Sequence, residues 1–187
     1  MSVLTQARWQ WTAARYFQAI QSGLIDPRER LELIEGELLR MVPINPRHAN
    51  VVTTLMHNLS AQLDTGLFHL RVQQPLALAE DTWPEPDLVL VRSGDYDAHH
   101  PSAGDTLLVI EVADSSLSLD RGEKAMLYAR HAIAEYWVID VRRTSARTAV
   151  YVHRDPLSGR YRRTTEHVQG VIKAKRIKAA IDDITAL

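Results

Sequence analysis

Two short runs, Asp87 to Val91 (DLVLV) and Leu107 to Val112 (LLVIEV), constrain the fold more tightly than any other part of the chain. Apart from Asp87 and Glu111, both are apolar at every position. A strand with one face in water alternates polar and apolar residues, so an unbroken apolar run requires cover on both sides. These runs therefore predict central strands of an α/β sheet. Helices to supply the cover are legible too. Thr12 is placed to cap a helix to about Ser22, with Gly23 ending it and Tyr16, Phe17 and Ile20 as its apolar stripe. Pro46 and His48 open a second, whose Val52, Leu55, Met56, Leu59 and Leu63 follow helical spacing up to Gly66. Asp120-Arg121-Gly122-Glu123 reads as a capping box that starts a third, to about His131.

The remaining segments read as strands. Leu31 to Val42 gives two short strands around Glu35-Gly36, or one bent strand. From Phe68 the chain is extended, with Pro75 marking an edge or a bulge. Glu135 to Val141 is a further strand. Thr148 to His153 and Tyr161 to His167 form a hairpin around the turn Asp155 to Gly159. The last residues suggest a short strand and a helical turn. With 187 residues, one domain over residues 1–187 is expected.

Composition narrows the chemistry. The chain has no cysteine, which excludes disulfides, thiol catalysis and Cys-based zinc sites. No stretch has the ~20 apolar residues of a membrane span, and the arginine-bearing N-terminus reads as neither signal nor anchor, so a cytoplasmic protein is expected. The net charge of −1 hides a division. Val141 to Lys178 holds eleven Lys/Arg against two acids, a net of +9, and leaves −10 for the rest. Such a layout suits a metal-binding acidic part and a basic tail along phosphates, with Arg160, Arg162 and Arg163 as candidate DNA contacts. Solvated edge hairpins explain the basic tail equally well.

Asp87 and Glu111 are placed badly for folding. An ionised carboxylate taken from water costs several kcal/mol unless a cation or donors compensate it. Two at corresponding places on neighbouring strands would repel, and a shared Mg²⁺ (or Mn²⁺) explains both. Mg²⁺ typically takes one or two carboxylates plus water and substrate phosphate, polarises the phosphate and acidifies water. Each acid also has a plainer reading: Asp87 as a turn cap after Pro86, Glu111 as the partner of a buried cation. The pair His99-His100 lies in a polar loop without zinc-pair spacing, Asp140 makes a structural turn, and no Gly-x-Ser-x-Gly or phosphate-binding glycine loop occurs.

Pro86-Asp87, a spacer, then Glu111 at the end of an apolar strand resembles the PD-(D/E)xK nuclease signature. Glu32 to Leu38, Glu85 to Val91, Ile110 to Ser116, Asp120 to Lys124, Tyr128-Ala129 and Glu135 to Asp140 are together similar to the Uma family of bacterial restriction-endonuclease-like proteins. The resemblance reaches over roughly residues 12 to 185. It implies a mixed central β-sheet flanked by helices, extra C-terminal hairpin strands, and metal-dependent hydrolysis of DNA. The signature's lysine two residues after the acid is absent, since position 113 is Ala. The superfamily can move it to the next helix, where this family carries Lys124, here one turn into the helix that Asp120 begins. Lys124 becomes the implied cationic helper, with an exposed surface lysine as the alternative. Glu32 is the implied supporting acid, with Glu35 and Glu37 on other faces of the strand. His48 is an implied phosphate contact, and dimerisation is common in the superfamily. The reading is thus a Mg²⁺-dependent DNA endonuclease with Asp87, Glu111, Lys124 and Glu32 as catalytic residues. The alternative is a nuclease fold kept as a binding or assembly module.

Overall fold

The computed structural model describes residues 9–142, 148–168, 172 and 174. Helix α1 (Ala13–Gln21) precedes a two-stranded sheet of β1 (Leu31–Ile34) and β2 (Glu37–Arg40). Thr12 caps α1 by accepting from the Arg15 N–H. The β1–β2 turn uses Glu35 (φ 49°) and Gly36 (φ 80°), the paired left-handed residues of the tight turn that matches strand twist. At Gly36 a Cβ would stand 2.7 Å from Gln10 Cβ, so glycine is required there for space as well as for conformation. Helix α2 (Pro46–Ser60) follows, capped by the Asn45 side chain.

The main sheet has six strands in order β3 (Phe68–Val72), β4 (Leu88–Arg92), β5 (Thr106–Ala113), β6 (Glu135–Asp140), β7 (Ala149–Leu157) and β8 (Arg160–His167). The two apolar runs are neighbours, β4 and β5. Only β5 and β6 are parallel; the other neighbours are antiparallel. A parallel pair needs a crossover, supplied by α3 (Leu117–Leu119), a π-helical turn (Asp120–Lys124) and α4 (Ala125–Arg130).

Alternation along the central strands divides the core into two layers, as the unbroken apolar runs require. On one face Val51, Val52, Leu55 and Leu59 of α2 pack against Leu88, Leu90, Leu108, Ile110 and Trp137. On the other, Leu117, Ala125 and Tyr128 pack with Val89, Val109, Tyr136 and Val138. Each fully buried aliphatic side chain contributes roughly 1.5–3 kcal/mol relative to exposure, so both layers stabilise the sheet and the helices packed on it.

The structure moves three boundaries. Helix α2 ends at Ser60, not Gly66; Asp64 instead builds a turn, with its carboxylate accepting the Gly66 N–H at 2.9 Å and its carbonyl those of Leu67 and Phe68. The third helix starts at Leu117, so Asp120 is not its cap but the first residue of the π turn, inside the helical segment. The β7–β8 hairpin extends to a two-residue turn, Ser158-Gly159, with φ 51° and 75°. The strand and helical turn expected at the end of the chain lie outside the described residues, apart from Ile172 and Ala174. Among the described residues no helix is long and apolar enough to cross a membrane.

One buried group sets an acid limit on stability. His153 is 6% exposed, stacks on Tyr136 at 5.5 Å, and meets Thr164 Oγ1 through Nδ1, while its buried Nε2 has no partner among the described residues. Burial, helped by Arg121, pushes its pKa down from 6.5 to about 4. The unfolded chain therefore binds the extra proton first as pH falls, and stability drops between pH 6.5 and about 4. The expected loss is about 2 kcal/mol after allowing for screening near the surface. Urea midpoints across this range should fall for the wild type and fall less for His153→Phe; equal slopes would remove His153 as the cause.

Candidate active site

The fold gathers acids from four places in the chain around one cavity of about 140 Å³. Asp87 stands one residue before β4. Leu88 pairs with Ile110, so extending the antiparallel register by one step sets Asp87 beside Glu111. There β4 has ended, and the Val112 N–H donates to Asp87 Oδ2 at 2.8 Å in place of a strand carbonyl. His48 Nε2 lies 3.0 Å from the same oxygen, and the Gln73 amide donates to Oδ1 at 3.2 Å. Gln73 holds a left-handed backbone (φ 48°), a local strain that places its amide against Asp87.

Glu111 is buried in β5, where its Oε1 accepts from Lys124 Nζ at 3.0 Å and from the Tyr128 hydroxyl at 2.9 Å. Glu32, buried in β1, meets Lys124 at 3.5 Å and accepts weakly from the Glu85 N–H at 3.4 Å. Its neighbours Glu35 and Glu37 are exposed. Asp120 is only 2% exposed and accepts from the Ser116 hydroxyl. Among the described residues neither Asp87 nor Glu111 is paired with an arginine; both line the same cavity.

Electrostatics follow from the count of charges. Burial holds Glu111 well above the usual carboxylate range; Lys124 pulls it back, while Asp87, Asp120 and Glu32 push it further upward. Burial also raises Asp120. For Lys124, burial works against the charge, but Glu111, Glu32 and Asp120 outweigh it and raise its pKa. These shifts express one imbalance: Glu32, Asp87, Glu111 and Asp120 gather with Lys124 as the buried cation, Glu85 and Asp114 line the same cavity, and Arg30 and Arg40 stand exposed at its edge. The site gains from any further positive charge, whether a proton or a cation. His48 is raised by its bond to Asp87, against the effect of burial, and its buried Nδ1 has no partner among the described residues.

The donor set is all oxygen, which suits a hard divalent cation. Among the described residues no three His, Asp, Glu or Cys side chains form a ready cage, so a metal here would rest on two carboxylates and complete its shell with water or substrate. That is the mode typical of Mg²⁺.

Glu32, Asp87, Glu111, Lys124 and His48 thus converge. His48, expected on substrate phosphate, meets Asp87 through Nε2 in the structure. Arg160, Arg162 and Arg163 do not join them. They lie on β8, three strands from β5, roughly 14 Å away at ~4.8 Å per strand. Arg163 is also level with Arg154 and Glu135, at the end of the sheet opposite the Ala113–Asp140 pairing beside the cavity. Its guanidinium binds Asp155 at 2.7 Å. Asp120, Gln73 and Tyr128 were missed as site residues. The four-residue spacing of Asp120, Lys124 and Tyr128 was the available signal, obscured by reading Asp120 as a cap.

A mixed sheet with a helical crossover beside paired carboxylates defines a restriction-endonuclease-like α/β protein. Residues 14–174 match the Uma2 family, described as "Putative restriction endonuclease", and the chain belongs to that family. Its fold is similar to that of a solved "putative nuclease belonging to DUF820" from Anabaena variabilis ATCC 29413. The TM-score is 0.68 at 13% identity, covering 94% of this chain and 98% of the other. No curated protein matches the chain.

Proposed function

We propose that the protein is a divalent-metal-dependent DNA endonuclease. The observation that carries this reading is the meeting of Glu32, Asp87, Glu111 and Asp120 around Lys124 at one cavity. Asp87 and Glu111 are the residues to hold Mg²⁺ or Mn²⁺, which when bound supplies Lewis acidity to the scissile phosphate and acidifies water. Lys124 presents its ammonium to the attacking water and to the charge that builds on the phosphate. Glu32, 3.5 Å from that ammonium, positions it. Gln73, His48 and the Val112 N–H fix the Asp87 carboxylate; Tyr128 fixes Glu111.

The test is cleavage of supercoiled plasmid and single-stranded DNA with Mg²⁺ or Mn²⁺, and its arrest by a chelator. No cleavage with either ion on either substrate would refute the enzyme. Tyr128→Phe keeps the ring and removes the donor, and should weaken metal affinity about tenfold by calorimetry, the lower range for losing an outer-sphere partner. An unchanged affinity would deny Tyr128 this role.

A second reading, a nuclease fold kept for binding or assembly, is favoured by one feature: Lys124 already satisfies Glu111, and both Asp87 oxygens already have donors. Failure to bind millimolar-range Mg²⁺ or Mn²⁺ in calorimetry would select it. A homodimer remains a proposal from the superfamily, checked by sedimentation.

A further inference from the structure

Resting on the nuclease reading, we propose that the substrate is a single-stranded or locally unpaired nucleic acid, held by a rim that carries both arginines and apolar side chains. The cavity volume of about 140 Å³ is below the ~300 Å³ of the smaller ligand pockets. At ~30 Å³ per water, it has room for a phosphodiester group with a few waters. The rest of the strand must lie on the rim.

That rim includes Arg30 and Arg40 together with Val42, Ile44 and Leu119. The arginines are exposed, and Arg40 meets the exposed Glu29 at 3.3 Å. They supply the positive charge near the cavity that Arg160, Arg162 and Arg163 cannot. Val42 is 63%, Ile44 38% and Leu119 39% exposed. Large apolar groups gathered in water beside a polar site mark a surface that a partner covers. A duplex hides its base faces in the stack and offers phosphates and groove edges. An unpaired strand offers phosphates and apolar base faces side by side, which is the complement of this rim. The lip is also fixed in place. Between β2 and α2 it contains Pro43, the Met41 N–H donates to the Arg30 carbonyl at 2.9 Å, and the Asn45 amide donates to Asp114 at the end of β5.

The experiment measures binding by fluorescence anisotropy in Ca²⁺, with the oligonucleotide confirmed intact afterwards. A single strand and its blunt duplex are compared on wild type, Val42→Ser/Ile44→Ser and Arg30→Gln/Arg40→Gln. All four positions are exposed, and unchanged thermal midpoints verify the fold. The wild type should bind the single strand at least tenfold more tightly. The serine pair should lose most of that preference without changing duplex affinity. The glutamine pair should lower the salt slope for the single strand by about 1.4, two phosphates at ~0.7 each. Equal affinity for the two substrates, or a serine pair that behaves as wild type, overturns the proposal. A single-strand preference without cleavage by any divalent ion upholds this substrate class and removes the hydrolase assignment.

Discussion

Asp87→Asn is expected to lower DNA cleavage by about a thousandfold or more while leaving a folded protein. The estimate follows from losing one of two carboxylates on a divalent ion: several kcal/mol of transition-state stabilisation, at 1.36 kcal/mol per tenfold. Asparagine keeps an oxygen for the Val112 N–H, so the join between β4 and β5 survives. Asp87→Ala should be equally inactive and less stable, because it strips acceptors from Val112, Gln73 and His48 at once. An unsatisfied buried donor costs about 1–3 kcal/mol, and partial access to the cavity limits the sum to about 3 kcal/mol. Rate and urea midpoint measured on both variants separate the two roles. Cleavage by Asp87→Asn at the wild-type rate would remove Asp87 from the metal site.

Lys124→Met should slow cleavage by about a hundred- to a thousandfold, the range for removing one preorganised donor to developing charge. It should not weaken metal binding. The ammonium lies 3.0 Å from Glu111 and 3.5 Å from Glu32, so it competes with a cation for the same oxygens. Calorimetry should therefore show Mg²⁺ or Mn²⁺ affinity equal to or above wild type. Without metal, the variant leaves buried carboxylates uncompensated, at a cost of about 3 kcal/mol, and added metal should restore much of the lost thermal stability. A variant that cleaves normally, or binds metal more weakly, contradicts the roles given to Lys124.

How much of this site was legible in the sequence depended on how each residue contrasts with its neighbours. Asp87 and Glu111 stood out because each interrupts an apolar run, and a carboxylate among buried valines demands a partner. Lys124 and Glu32 did not stand out on chemistry; a resemblance to a family drew attention to them, and a lysine or glutamate is ordinary at a surface. Asp120 was visible but misread, since Asp at the start of a helical pattern resembles a cap. The π turn that places it inside the helix is a hydrogen-bond arrangement without a sequence pattern of its own. The Arg160–Arg163 cluster was legible as charge, but its distance from the acids was not, because composition carries no address on the sheet.

By itself, the sequence determined the layered α/β architecture, through runs that only two-sided burial tolerates, and the presence of misplaced acids that need positive charge. The tertiary structure decided which charged groups meet: Glu32 from a separate hairpin, Asp87 at a strand end, Glu111 across the register, and Asp120 and Lys124 from the crossover helix. It also decided which arginines stand near them. Periodicity is a local property of the chain, whereas convergence depends on strand order and register, which long-range packing alone sets.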